Sequence, residues 1–286
     1  MKKGLTGNLI EFNLAMLFIS TSGVLGRFIE LPSSVTIAFR ALLAGIILFF
    51  FCKAKKFNLR IAKKDRLTVI TGGILMGIHW VTYFYSLRLS NVAIGMLSLF
   101  TYPAITAVLE PLILKTKILK FHLVLSLLVL IGIYFLVPDF DLESDNLKAV
   151  GFGVFSALCY AIRNILMKSK ISSYSGSVLM MYQMVIIAII LSPAYFLFDS
   201  YNITDFLPSI LLLAILTTVI GHTLFVYSLN NFSTVTASIM GCAQPMYGVI
   251  MGIFFLNEYP EKSTIIGGAI IIITVFMESY RIAKSK

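Results

Sequence analysis

Apolar runs of about 20 residues, each closed by a short polar cluster, recur ten times along the chain. An α-helix needs about 20 residues to cross the hydrocarbon core of a bilayer. The runs therefore predict spans at 9–29, 34–53, 67–87, 92–114, 121–137, 149–167, 177–198, 207–229, 234–256 and 263–282. The alternation over about 10 residues that marks a membrane β-barrel is missing. Connections are short, so consecutive helices are expected to be antiparallel neighbours, and no segment is long enough for a soluble domain.

Composition supports this pattern. Of 286 residues, 58% are hydrophobic and only 13% are charged, against about a quarter charged in soluble domains. A cytosolic enzyme, a disordered chain and a secreted disulfide scaffold are excluded. Cys52, Cys159 and Cys242 lie within or at the ends of apolar runs without CxxC or zinc spacing, so they read as packed side chains and no metal or cofactor is expected. Met1-Lys2-Lys3 imitates a signal peptide, but the run that follows is too long for one and reads as the first span.

The net charge of +10 does not call for nucleic acid, because the basic residues sit in loops, as topology determinants do. With both termini cytoplasmic, the inner loops and termini hold 17 Lys and Arg, and the outer loops hold Arg27, Arg88, Lys148 and Lys262. Asp139, Asp141, Glu143, Asp145, Asp199 and Asp205 fall outside. The expected fold is all-α integral membrane, with ten transmembrane helices and cytoplasmic N- and C-termini, multi-pass in a bacterial inner membrane.

The two halves resemble each other. A shift of 142 positions places Tyr85-Ser86-Leu87 on Tyr227-Ser228-Leu229 and Pro103 on Pro245. A shift of 143 places Val35 on Val178 and Phe39-Arg40 on Tyr182-Gln183. Two five-helix repeats are expected, at 1–138 and 149–286. An odd number of spans per half inverts the second repeat, an architecture of secondary transporters that bind substrate where the halves meet.

These stretches carry a resemblance to the drug/metabolite transporter superfamily, in particular its EamA-like ten-helix members, over essentially the whole chain. It rests on the five-plus-five layout, on Thr36-Ile37-Ala38-Phe39-Arg40-Ala41-Leu42-Leu43-Ala44-Gly45, and on Phe84-Tyr85-Ser86-Leu87. It rests also on the mid-helix prolines Pro103 and Pro245 and on Phe255-Leu256-Asn257-Glu258. In that family the last position usually reads Gly-Glu, commonly in both halves. Here the first half has Lys115-Thr116 and lacks that Glu. The resemblance implies export or exchange of small metabolites, often amino acids.

Polar groups at mid-membrane cost several kcal/mol unless they face water or a partner, so each is a candidate site residue. The plainer role is an interhelical contact worth about 0.6–2 kcal/mol. His79 and Tyr83 share a face of span 3, beside Trp80, and the repeat sets Trp80 opposite His222. A histidine titrating near neutrality suits proton coupling or a single packing bond. Tyr102 before Pro103 and Gln244 before Pro245 adjoin carbonyls that proline leaves free, with Tyr247 on a nearby face. Arg40 and Gln183 are repeat equivalents. Gln183 is counted with the site, and Arg40 suits a substrate carboxylate. Structural anchoring is favoured for Arg40, since the resembling family often has arginine there.

Arg163 is expected to snorkel toward water, Glu110 to pair with Lys115 and Lys117, and Glu258 to cap or gate span 9. Ser20-Thr21-Ser22 suits close helix approach or a cavity wall. The pairs Gly73/Gly77 and Gly248/Gly252 suit internal helix contacts. Trp80, Tyr83, Tyr102, Tyr160, Tyr182 and Tyr247 together suit an amphipathic chamber for an amino acid or similar solute.

There is no Walker phosphate loop or HExxH zinc motif, and no repeated filter or ring of like charge. The expected activity is secondary transport of a small metabolite by alternating access, by a lipid-embedded monomer rather than a dimer. The competing reading is a non-transporting receptor or scaffold with this fold. An intramembrane enzyme stands further off, since Glu110 is the only acidic residue well inside a span.

Overall fold

The computed structural model describes residues 5–115, 117, 119–135, 144–197 and 201–284. Lys2, Lys3, Thr116, Asp139, Asp141, Glu143, Asp199 and Lys286 lie outside the described residues. Within them all regular structure is helical: α1 (Leu5–Phe28), α2 (Ser33–Ala54), α3 (Arg66–Leu89), α4 (Val92–Leu99), α5 (Tyr102–Leu114), α6 (Lys120–Tyr134) and α7 (Asp145–Lys168). Then follow α8 (Gly176–Ile190), α9 (Ile203–Leu213), a π-wound segment (Ala214–His222), α10 (Thr223–Ser228), α11 (Thr234–Gly241), α12 (Gln244–Leu256) and α13 (Lys262–Lys284). Among the described residues, seven stretches are long and apolar enough to cross a membrane, and shorter apolar helices run over Lys120–Gly132, Gly176–Ile190 and Lys262–Thr274.

The breaks have local causes. Pro103 and Pro245 are not mid-helix kinks: each lies in the first turn of α5 or α12. There the missing proline N–H leaves no ladder bond broken within the new helix. Two-residue turns at 100–101 and 242–243 therefore divide the fourth and ninth runs. The seventh run, expected to reach 198, stops at Ile190, and a 3₁₀ turn containing Pro193 follows. Proline disfavours helical backbone in the residue before it.

The helices sort their apolar faces inward and outward. Phe12, Trp80, Phe84, Phe100 and Phe225 are fully buried, whereas Phe50, Leu112, Phe254 and Phe276 stand exposed on the outside. The most extensive contacts join α3 to α7 and α2 to α8, with α1 against α12 and the π segment, and α6 against α13. Small residues set the close approaches. A Cβ on Gly73 would meet Ile186 at 2.8 Å, and one on Gly248 would strike Met96, so both glycine pairs face other helices of the same chain.

Candidate functional site

The polar centre of the bundle is built around Arg40. The π segment turns two adjacent threonines toward α2, where Arg40 Nε donates to Thr218 Oγ1 at 2.8 Å and Nη2 donates to Thr217 Oγ1 at 2.6 Å. π turns are rare and recur at functional sites. The guanidinium carbon sits 3.7 Å from the centroid of the Trp80 ring, a desolvated cation–π contact worth about 2 kcal/mol. Arg40 is completely buried, and its Nη1 has no hydrogen-bond partner. Among the described residues no carboxylate pairs with it.

Around this cation a narrow cavity is lined by Ile19, Ser22, Arg40, His79, Trp80, Tyr83, Leu99, Phe100, Tyr160, His222 and Gln244. It has room for about one water molecule. His79 Nδ1 lies 2.7 Å from Ser156 Oγ, whose own proton goes to the His79 carbonyl at 2.8 Å. The His79 ring stacks on Tyr160 with centroids 4.4 Å apart, and Trp80 meets His222 at 5.3 Å. Trp80 Nε1 and His222 Nδ1 are buried without partners.

The other expected site residues are placed differently. Tyr102 sits behind the cavity, edge-on to Tyr160 at 5.1 Å, with its hydroxyl over Gly241. Tyr247 is half-buried against the core outside the cavity lining, and Tyr182 donates its hydroxyl to Leu59 O at 2.8 Å. Gln183 accepts from Arg163 Nε at 2.6 Å and donates to Leu179 O at 3.0 Å. Arg163 does not snorkel. It is fully buried, with Nη1 on Asn164 Oδ1 at 2.8 Å and Nη2 on Met180 Sδ at 2.9 Å. Neutral acceptors held by α7 and α8 satisfy it where it stands.

Two carboxylates close the opposite ends of the fourth and ninth runs. Glu258, just past α12, accepts from Val92 N–H at 2.8 Å at the start of α4, and from Arg27 Nε at 3.0 Å. Glu110, near the end of α5, accepts from Thr234 and Val235 N–H at 2.9 and 2.8 Å at the start of α11. Glu110 is thus a helix cap, not the partner of Lys115 and Lys117. A buried carboxylate is better served by two free amides at a helix N-terminus than by exposed lysines. Basic residues repeat the pattern: Arg27 Nη1 donates to Leu87 O at 3.1 Å, and Lys168 Nζ donates to Leu229 O at 2.5 Å and to Phe232 O at 2.9 Å.

A helical bundle with an apolar exterior and a buried polar cavity at its centre is the build of a multi-pass membrane transporter. Residues 9–137 and 147–280 match the EamA-like transporter family, and the chain belongs to that family. It is 26% identical over 267 residues to an S-adenosylmethionine uptake transporter of Rickettsia bellii (strain RML369-C), covering 91% of this chain and 89% of the relative. It is 26% identical over 224 residues to the threonine/homoserine exporter RhtA of Salmonella typhimurium (strain LT2), covering 77% and 73%. A solved crystal structure superposes with a TM-score of 0.77 at 14% identity, over 99% of each chain. The protein is a multi-pass integral membrane protein of a transporter family.

Proposed function

We propose that this protein is a secondary transporter that exports or exchanges a small metabolite, an amino acid or a similar amphipathic solute, by alternating access. It is read as ten spans in two inverted halves, 1–138 and 149–286, with both termini on the cytoplasmic side of a bacterial inner membrane. The observation that carries this reading is the central cavity. Arg40, His79 and Trp80 come to it from one half, and Tyr160, His222 and Gln244 from the other. The relatives named for S-adenosylmethionine and for threonine and homoserine handle amino acids or a derivative of one, which supports the solute class.

Reciprocal contacts support the inversion. The shift of 142 positions carries Val92 to Thr234 and Leu87 to Leu229, the very groups that Glu258 and Arg27 hold at one end and Glu110 and Lys168 at the other. Each cluster is the gate of its own end, with the Glu258 gate at the outer face and the Glu110 gate at the cytoplasmic face. Release of one opens the cavity to that side while the other stays closed.

Counterflow of a labelled amino-acid and metabolite panel into proteoliposomes, with and without a pH gradient, tests the reading. Uptake of one compound class, abolished in His79→Ala or Gln244→Ala, is the expected result. Folded protein that moves nothing across a broad panel favours the scaffold reading.

A further inference from the structure

We infer that the group recognised in the central cavity is a single carboxylate, held by Arg40 and Trp80. The inference rests on the transporter reading of that cavity and narrows its cargo to organic monocarboxylates, amino acids included. Nε and Nη2 of Arg40 are committed to Thr218 and Thr217, while Nη1 donates to no protein atom. The Trp80 ring lies 3.7 Å from the same guanidinium, and its Nε1–H, a group that only donates, is also unmatched. Buried donors without acceptors are uncommon in native structures. Here these two belong to residues in direct contact that line one cavity, where Tyr83 Oη and His222 Nδ1 are also unmatched.

The complement of this arrangement has two acceptor oxygens and one negative charge, which describes a carboxylate. The second buried guanidinium, Arg163, does not line the cavity, and its three nitrogens are engaged by Gln183, Asn164 and Met180. No lysine lines the cavity. Arg40 is the one arginine in the lining, which suits a monoanion better than a phosphate dianion. A simple amine would set a second cation beside Arg40. The rings of Tyr160, Tyr83 and Phe100 offer an apolar surface for the remainder of the solute. The cavity is narrow, so binding requires the helix ends to part, as alternating access provides.

Trp80 is the only tryptophan in the chain, so selective tryptophan excitation reports on this site alone. The purified full-length chain is titrated with matched pairs of acid and amide: lactate and lactamide, threonine and threoninamide, phenylacetate and phenylacetamide. The same pairs compete in proteoliposome counterflow. At least one acid is expected to change the fluorescence saturably, with its amide weaker by about tenfold or more, and the same order in competition. Arg40→Lys keeps the charge and loses the fork, so acid affinity falls about tenfold. Trp80→Phe, which keeps the ring and loses the donor, raises KM for the acid more than it lowers kcat.

An amide that binds as well as its acid overturns the inference, as does preferential binding of amines. So does a panel in which no acid binds or competes. Flux that acids do not inhibit sinks the carboxylate and leaves the transporter standing. Acid binding without flux of any solute does the reverse.

Discussion

If the two glutamate clusters are gates at opposite ends, removing one should open the protein to one side only. Glu258→Ala removes the acceptor of Val92 N–H and the partner of Arg27. Loss of a helix cap costs about 0.5–2 kcal/mol. The ion pair, with side chains 31% and 21% exposed, adds less than about 1 kcal/mol because solvent screens it. The closed outer end therefore weakens by about 1–2 kcal/mol, which multiplies its opening equilibrium by about 5–30. Glu110→Ala strips the acceptor from two amides at the start of α11 and weakens the other end by a comparable amount. To read this, Ser22→Cys is placed in the cavity of a chain whose Cys52, Cys159 and Cys242 have been replaced. An impermeant maleimide is then added to one face of proteoliposomes. Labelling from the outer face should rise about 5–30-fold in Glu258→Ala, and from the cytoplasmic face in Glu110→Ala. If both variants respond at the same face, or folded variants respond at neither, the assignment of the gates is wrong.

Replacing Thr217 and Thr218 together by valine leaves Arg40 buried with no hydroxyl acceptor, and thermal unfolding should register a loss of about 3–5 kcal/mol; an unchanged Tm would show that the threonines do not hold the cation. Gly153→Ala drives a Cβ to within 2.7 Å of Ser98 Cβ, so overpacking between α7 and α4 should cost about 1–3 kcal/mol in the same assay. Asp65, in the turn ahead of α3 and outside the apolar run, accepts from Lys170 Nζ and Tyr174 Oη at 2.7 Å each, and these donors hold its carboxyl below the usual carboxylate range. Its contribution is complete above the unfolded pKa and lost as pH falls through the lower folded value. Asp65→Asn should therefore flatten the acid limb of the stability profile, and an acid limb identical to that of the wild type would exclude Asp65 as its source.

The positions of most helices are legible in the sequence because the signal is local, a run of apolar residues closed by polar ones. The divisions at 100–101 and 242–243 were partly visible through Pro103 and Pro245, whose geometry acts on their own chain segment. The chamber was legible where helical spacing suffices, as for His79, Trp80 and Tyr83 on one helix. What escaped was pairing at long range. Thr217 and Thr218 are ordinary span residues until a π turn sets both against Arg40, 177 and 178 positions away. Glu110 has lysines nearby in sequence, yet its partners lie 124 and 125 positions on. Arg163 is satisfied by Gln183, a residue counted with the site for its repeat position alone. A pair of adjacent threonines in one span and a lone arginine in another is the pattern that could have revealed the first of these contacts.

Trans-stimulation tests the central claim most directly, because one site that faces each side in turn must return faster when loaded. Proteoliposomes are preloaded with the solute identified by counterflow, or left empty, and the initial rate of labelled uptake is measured at rising outside concentration. The account predicts saturable uptake that internal solute accelerates, with half-saturation at the concentration that half-changes the Trp80 fluorescence. Uptake that rises linearly without saturation, is indifferent to internal solute and leaves Trp80 silent would contradict it, and would describe a channel through some other part of the bundle.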